Sequence, residues 1–266
     1  MIELKLNKKI KMPAIFVGHG SPMTADVDNA YNEAWRKFAK KLPKPKAIIV
    51  ISAHWNIKDV AVSDLEKPKQ IYDFYGFPDK LYKLKYPVAG SFELAEKVRK
   101  ILAPIVDVKI NNEWGIDHGG WIPLLSFFPE ADVPVVQLSL DYSKSTQEHY
   151  DIGKALAPLR EEGIMIIGSG DIVHNLREIE YEEDAKPFDW AVEFEQKVLT
   201  LIAKNDHKSL IDVENLDNKS YLSVPTIEHY LPLLYVLATK DKDDEVEYFA
   251  KGITHGSISM TSFVLK

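Results

Sequence analysis

The sequence predicts an α/β fold: one domain with a mostly parallel central sheet flanked by helices, in three layers (α/β/α). Three observations point there. Strand-like and helix-like stretches alternate along the whole chain, as βαβ units require. The run Ala47-Ile48-Ile49-Val50-Ile51 is wholly apolar, with four β-branched residues, which suits a strand buried on both faces of a parallel sheet. Finally, three such runs each lead into a histidine: residues 14–18 into His19, 47–52 into His54, and 164–170 on to His174. Open α/β sheets bind ligands outside the carboxyl ends of their strands, so these imidazoles are expected along one sheet edge.

Taken in order, residues 13–18 read as the first strand. Asp28 to Lys41 reads as an amphipathic helix, with Tyr31, Ala34, Trp35 and Phe38 at helical spacing and Pro43 and Pro45 to stop it. The strand at 47–51 follows, with His54 just past its end. Lys67 to Pro87 carries six aromatic residues among prolines and glycines, and reads as a long aromatic loop of the kind that often binds ligands. Ser91 caps a helix to Leu102, Val106 to Ile110 is a short strand, and Glu113 to Trp121 is a second loop rich in glycine and aromatics. Val133 to Leu140 is a strand, Ser145 to Arg160 a helix, and 163–168 a strand. Trp190 to Lys204 and Thr226 to Ala238 are apolar helices, the latter with Thr226 as cap. Lys240 to Glu247 reads as a solvated turn, and Ser257 to Leu265 as a final strand.

The totals exclude several classes of function. At 266 residues the chain has room for one large α/β domain or two small ones, and without a linker or repeat it reads as a single domain over 1–266. A formal net charge of −7 argues against a nucleic-acid or anionic-membrane surface. The absence of cysteine excludes disulfides, thiolate nucleophiles and cysteine-type zinc sites, so a bound metal must be held by histidine and carboxylate. The polar lead Met1 to Lys9 lacks an apolar stretch of signal-peptide length, and no run reaches the ~20 apolar residues of a membrane helix, so the cytoplasm is the expected address. Nothing marks an interface patch, and the oligomeric state stays open.

Eight histidines remain to be sorted. His149 and His207 lie in or beside polar helical surface and read as structural. His19, His54 and His174 each have an ordinary local explanation, but together they suggest a shared site. His229 follows Glu228, and either could ligate a metal. His118, between Asp117 and Gly119-Gly120, suits an acid or base on a mobile loop, or a loop anchored by its own hydrogen bonds. His255 reads equally as site wall or turn. There is no His-Glu-x-x-His helix, phosphate-binding glycine loop or nucleophile elbow; Pro22 argues against Ser21 as a nucleophile.

Five stretches in order carry a family resemblance: Met12 to Pro22, Ser52-Ala53-His54-Trp55, Trp114 to Gly119, Ser169 to Leu176, and Glu228 to Leu233. They resemble the class III extradiol ring-cleavage dioxygenases, in the branch around 4,5-DOPA extradiol dioxygenase. The resemblance implies one divalent metal held by His19, His54 and His229, with Glu228 as the fallback ligand, as in relatives that use two histidines and a carboxylate. It implies His174 as acid/base group or fourth ligand, and His118 as a second catalytic histidine facing substrate or oxygen. Fe(II) is the ion expected for activity and Zn(II) an alternative occupant. The implied substrates are a catechol and O2, with a histidine of near-neutral pKa taking the hydroxyl proton. The aromatics from Tyr72 to Phe77, with Trp55 or Trp121, could wall a flat ring, although core packing explains each one separately. Two other readings stand beside this one: a zinc hydrolase on the same histidines, and a binding protein that keeps the fold without catalysis.

Overall fold

A computed structural model describes residues 11–266, so the polar lead read above lies outside the described residues. In chain order the elements are β1 (Ala14–Gly18), α1 (Ala30–Ala39), β2 (Ala47–Ile57), β3 (Val60–Ser63), α2 (Asp79–Lys83), α3 (Phe92–Leu102), β4 (Val108–Asn111), α4 (His118–Phe127), β5 (Val135–Asp141) and α5 (Thr146–Leu156). They continue with β6 (Ile164–Gly170), α6 (Asp189–Ala203), α7 (His207–Ile211), α8 (Ser220–Ser223), α9 (Leu231–Ala238), β7 (Val246–Ala250), β8 (Ile253–Thr254), β9 (Ile258–Ser259) and β10 (Ser262–Leu265).

Among the described residues, eight strands form one sheet in the order β4-β3-β5-β2-β6-β1-β10-β7. Its centre, β5-β2-β6-β1, is parallel; β3 joins β5 antiparallel and pairs in parallel with β4, while β10 and β7 close the other side antiparallel. Buried side chains alternate across the central strands. Phe16, Ile49, Ile51 and Ile166 face a core shared with α3, α5, α6 and α9. Ile15, Ile48, Val50, Met165 and Ile167 face a second core under α1, α4 and the aromatic loop. A period-2 strand that is apolar at every position must be covered twice, and the three layers follow. No helix among the described residues is long and apolar enough to cross a membrane.

Ser91 caps α3 as the sequence predicts, accepting from the Leu94 amide, and Ser145, read as the start of a helix, forms a capping box with Glu148 at α5. Other elements differ. β2 does not stop before His54 but runs to Ile57 through a bulge. Ile51 pairs with Leu138 and Asn56 with Leu140, so residues 52–55 stand opposite Ser139 alone and the extra chain bows out of the ladder. His118 is the first residue of α4 rather than part of a loop, because Asp117 caps the helix by accepting from the Gly120 amide. Thr226 caps nothing: α9 begins at Leu231, and the Thr226 hydroxyl donates to Glu228 instead. The expected final strand is broken into β9 and β10, and the aromatic loop contains the short α2.

The stretch read as a solvated turn from Lys240 to Glu247 hides a buried carboxylate. Asp244 accepts from Arg160 at 2.6 and 2.9 Å, and Arg160 also donates to the carbonyls of Met12, Thr239 and Leu265. One guanidinium thus ties the chain before β1 to α9 and to the C-terminal strand, and it holds the Asp244 pKa down at about 2 despite burial.

Candidate metal centre

The carboxyl ends of β1, β2 and β6 lie side by side, and the predicted histidines meet above them. His19 follows β1 directly, and its amide donates to Gly170 of β6 at 3.2 Å. His54 rides on the β2 bulge. His229 comes from the turn before α9, which packs so closely on β6 that a Cβ at Gly170 would stand 2.2 Å from the His229 carbonyl. One donor atom from each of His19, His54 and His229 falls within a common 4.8 Å span. The Nε2 atoms of His19 and His54 are 3.1 Å apart.

The hydrogen-bond partners of the three rings decide which nitrogen faces inward. The Ser169 hydroxyl donates its only proton to the Gly119 carbonyl at 2.5 Å, so at 3.0 Å it can only accept from His19 Nδ1. That places the His19 proton on Nδ1 and leaves a lone pair on Nε2. Glu228 Oε1 accepts from Thr226 at 2.7 Å and lies 3.1 Å from His229 Nδ1, so His229 Nε2 is again the free nitrogen. It is buried and finds no hydrogen-bond partner among the described residues. Asp73 Oδ2 stands 3.3 Å from His54 Nδ1, an electrostatic approach without hydrogen-bond alignment. Carboxylates and hydroxyls behind ligating imidazoles set tautomer and ring direction in this way.

The arrangement fits a divalent metal. Two imidazole lone pairs facing each other at 3.1 Å repel unless a cation lies between them, and a donor set without a partner in a buried site is costly unless an ion satisfies it. Burial and the neighbouring imidazoles push His19 and His229 well below the usual histidine pKa, which keeps them in the neutral form that a metal requires.

Around this set stand the remaining groups. His174 lies flat on His229, with ring centroids 3.5 Å apart and planes within 5°, and burial lowers its pKa to about 4. Its donor atom forms a second close set with Asp171 and His229. His118 has its ring 3.9 Å from that of His54, and its amide donates to Asp73 Oδ1 at 3.0 Å. Asp117, below it, is held by Gln137 and is pushed up to about 6 by burial.

Two carboxylates of the site, Asp73 and Asp171, were not singled out from the sequence. Asp73 gave one signal, an acid amid the aromatics Tyr72, Phe74, Tyr75 and Phe77. Asp171 lies inside the motif from Ser169 to Leu176. It accepts from the Gly20 amide at 3.2 Å, and its other oxygen lies 3.6 Å from His19 Nε2.

The other histidines are structural. His149 is fully buried, not on polar surface; it engages Tyr235 at 3.0 Å and the Asp141 carbonyl at 3.1 Å. His207 engages the Tyr150 hydroxyl. His255 forms a turn with positive φ and lies 3.0 Å from the Glu180 carbonyl, so the turn reading holds. Among the aromatics, Phe74 sets its ring edge-on to His118 at 5.5 Å, whereas Tyr75 is almost wholly exposed. Trp55 and Trp121 are buried, Trp55 stacked on Trp114 and Trp121 donating to the Ile71 carbonyl. Core packing accounts for both.

Comparison with known proteins gives a consistent picture. Residues 13–266 match the family described as the catalytic LigB subunit of aromatic ring-opening dioxygenase. The chain is 44% identical to 4,5-DOPA dioxygenase extradiol of Escherichia coli (strain K12), covering 95% of this chain and 94% of that one. It is 36% identical to 4,5-DOPA dioxygenase extradiol of Beta vulgaris, covering 93% and 94%. A crystal structure of an uncharacterized protein from Escherichia coli K12 superposes with a TM-score of 0.84 at 39% identity, over 96% of this chain and 100% of that one.

Proposed function

The chain belongs to the family of the catalytic LigB subunit of aromatic ring-opening dioxygenase, and from that premise we propose a role for each group of its histidine site. The protein is an extradiol ring-cleaving dioxygenase, a metal-dependent oxidoreductase whose substrates are O2 and a catechol of the DOPA type. In the proposed reading, residues 1–266 form one catalytic domain that opens the ring to a semialdehyde. His19, His54 and His229 hold the metal through Nε2; Glu228 serves behind His229 rather than as a ligand. Fe(II) is the ion assigned to turnover, with Zn(II) as an alternative occupant. The observation that carries the assignment is the convergence of three neutral imidazoles, each backed at Nδ1 by an oxygen of another side chain.

When bound, the metal supplies Lewis acidity and an electron path between catechol and O2. The rest is done by side chains. His174, stacked on His229, is placed to take the catechol hydroxyl proton and is neutral at pH 7. His118 lies beside His54, where it can hold or return a proton during ring opening. General acid–base help of this kind is worth roughly 10²–10⁴-fold. Phe74, edge-on to His118, offers an apolar border to a flat ring.

Anaerobic reconstitution with Fe(II), followed by a catechol panel including DOPA and caffeate under oxygen, tests this reading. The expected result is a yellow semialdehyde formed with matching oxygen uptake. Zinc-dependent ester, amide or phosphate hydrolysis without oxygen uptake overturns it in favour of a metallohydrolase.

A further inference from the structure

One carboxylate touches both halves of the site. Asp73 Oδ2 lies 3.3 Å from His54 Nδ1 and 3.0 Å from His118 Nδ1, while its Oδ1 accepts from the His118 amide at 3.0 Å. We infer that Asp73 is a positioning residue that fixes the proton on Nδ1 of both His54 and His118, so that one group sets the metal-facing nitrogen and the proton-handling ring together. This rests on the assignment of His54 as a ligand made above.

A carboxylate oxygen carries only lone pairs, so a ring lone pair set 3.0 or 3.3 Å from it is repelled, and a proton on each facing Nδ1 is favoured even though neither contact is aligned as a full hydrogen bond. Each ring then presents an Nε2 lone pair. For His54 the alternative tautomer is damaging in a specific way. An Nε2–H on His54 would point at His19 Nε2, 3.1 Å away, and make a hydrogen bond there. That bond takes up the two lone pairs that would otherwise hold the metal. By favouring the proton on Nδ1, Asp73 disfavours this competing state.

The carboxylate is held firmly enough to do so. The strand-like segment before it is pinned to the segment leading into α4, with Ile71 donating to Ile116 at 2.8 Å and Ile116 to Lys69 at 2.9 Å. Trp121 of α4 donates to the Ile71 carbonyl, and the Tyr72 hydroxyl to that of Leu84. Phe74, on the other side, packs against His118 and Trp121. The aromatic loop therefore meets the site through Asp73, and any shift in Tyr72 or Phe74 reaches both imidazoles.

Asp73→Asn is the decisive variant: it keeps the shape, but its N–H2 must face either the two ring nitrogens, where a ring changes tautomer to accept from it, or the His118 amide N–H, where two donors meet and the side chain is driven off the rings. Three measurements read it: ¹⁵N shifts of the histidine rings in metal-free protein, Zn(II) affinity by chelator competition, and the separate effects on kcat and KM for a catechol. The expected result is a ring moving from Nδ1–H to Nε2–H, Zn(II) bound about 10–100-fold more weakly, and unchanged thermal unfolding of the metal-free chain. Asp73→Glu, which keeps the double acceptor, is expected to recover most of the Zn(II) affinity. Wild-type tautomers with wild-type Zn(II) affinity in Asp73→Asn overturn the inference. The metal-free wild type decides even if that variant does not fold, since Nε2–H on His54 or His118 overturns it alone. His54→Ala separates this from the ligand assignment: if it retains stoichiometric metal, the assignment itself fails. If His54→Ala loses metal while Asp73→Asn keeps it in full, only the role of Asp73 fails.

Discussion

Gly119→Ala tests whether the site depends on the closeness of α4 to the bulged end of β2. Gly119 is the second residue of α4, and a Cβ built there stands 2.5 Å from Ser52 Oγ and 3.1 Å from His54 Cδ2. Its φ is not in the left-handed region, so helix preference alone favours alanine by about 0.5–1 kcal/mol. Against that stands the overlap with Ser52, which is fully buried and accepts from the His54 amide at 3.2 Å. Overpacking a buried contact costs about 1–3 kcal/mol, and an approach this short against a pinned hydroxyl belongs in the upper half of that range. The net expectation is a loss of about 1–2 kcal/mol, or a Tm lower by roughly 2–8 °C for a chain of this size. The strain also has a direction. It pushes Ser52 and His54 away from α4, and it moves the Gly119 carbonyl that accepts from Ser169, the hydroxyl behind His19. Zn(II) affinity by chelator competition should therefore fall by tenfold or more. A Tm raised by about 2–4 °C together with unchanged Zn(II) affinity, the outcome of helix preference acting alone, would refute the reasoning.

Three further outcomes are expected. His54→Ala should lose stoichiometric metal, measured by elemental analysis, whereas His118→Ala should keep it and lose turnover by roughly 10²–10⁴-fold; metal release from His118→Ala contradicts this division. Glu228→Gln should bind Zn(II) about 10–100-fold more weakly through the loss of the negative charge behind His229, while His229→Ala should abolish stoichiometric binding; the reverse order makes Glu228 the ligand. His149 lies away from the site and gives a pH signature of its own. Burial lowers its pKa from 6.5 to about 4, so between those values the unfolded chain holds the extra proton. Stability is then fully present above about pH 6.5 and lost as pH falls towards 4, by about 3 kcal/mol from this group. Urea unfolding of wild type and His149→Gln should differ by an amount that shrinks over that window; a difference independent of pH contradicts the assignment.

The fold was legible wherever one signal dominated. The central strands are buried on both faces, so their β-branched runs stand out against the rest of the chain. The capping residues Ser91 and Ser145 act locally and need no tertiary information. The misreadings turn on side-chain partners that residue type alone does not choose. Thr226 is a good cap by residue type, but Glu228 takes its hydroxyl. The charges from Lys240 to Glu247 look solvated until Arg160, some eighty residues earlier in the chain, is found against Asp244. The strand β7 begins inside that charged run, and β3 is only four residues long, so neither carries enough periodicity to be read.

The site divides along the same line, and the division is chemical. Imidazole is scarce here, with eight in 266 residues, so three following buried strands is an informative coincidence. Carboxylates number 40, and nothing local distinguishes the few that serve the site. Asp73 is selected by the packing of residues 69–72 against the segment before α4, and Asp171 by burial beside His19. The bulge in β2 was equally hidden. Simple alternation places His54 on one face of a regular strand, but the three extra residues opposite Ser139 lift it out of the ladder and over His19. Without that bulge, His54 would continue the register of Ile51 and Leu138 and stand beside Asp141, within the ladder rather than over the two other imidazoles. The donors are therefore readable as a list of residue types, whereas their convergence, and the oxygen atoms that aim each ring, are properties of the sheet edge. For that reason a substitution at Gly119 or Asp73, neither of which is a proposed ligand, is the sharper probe of how this site holds its metal.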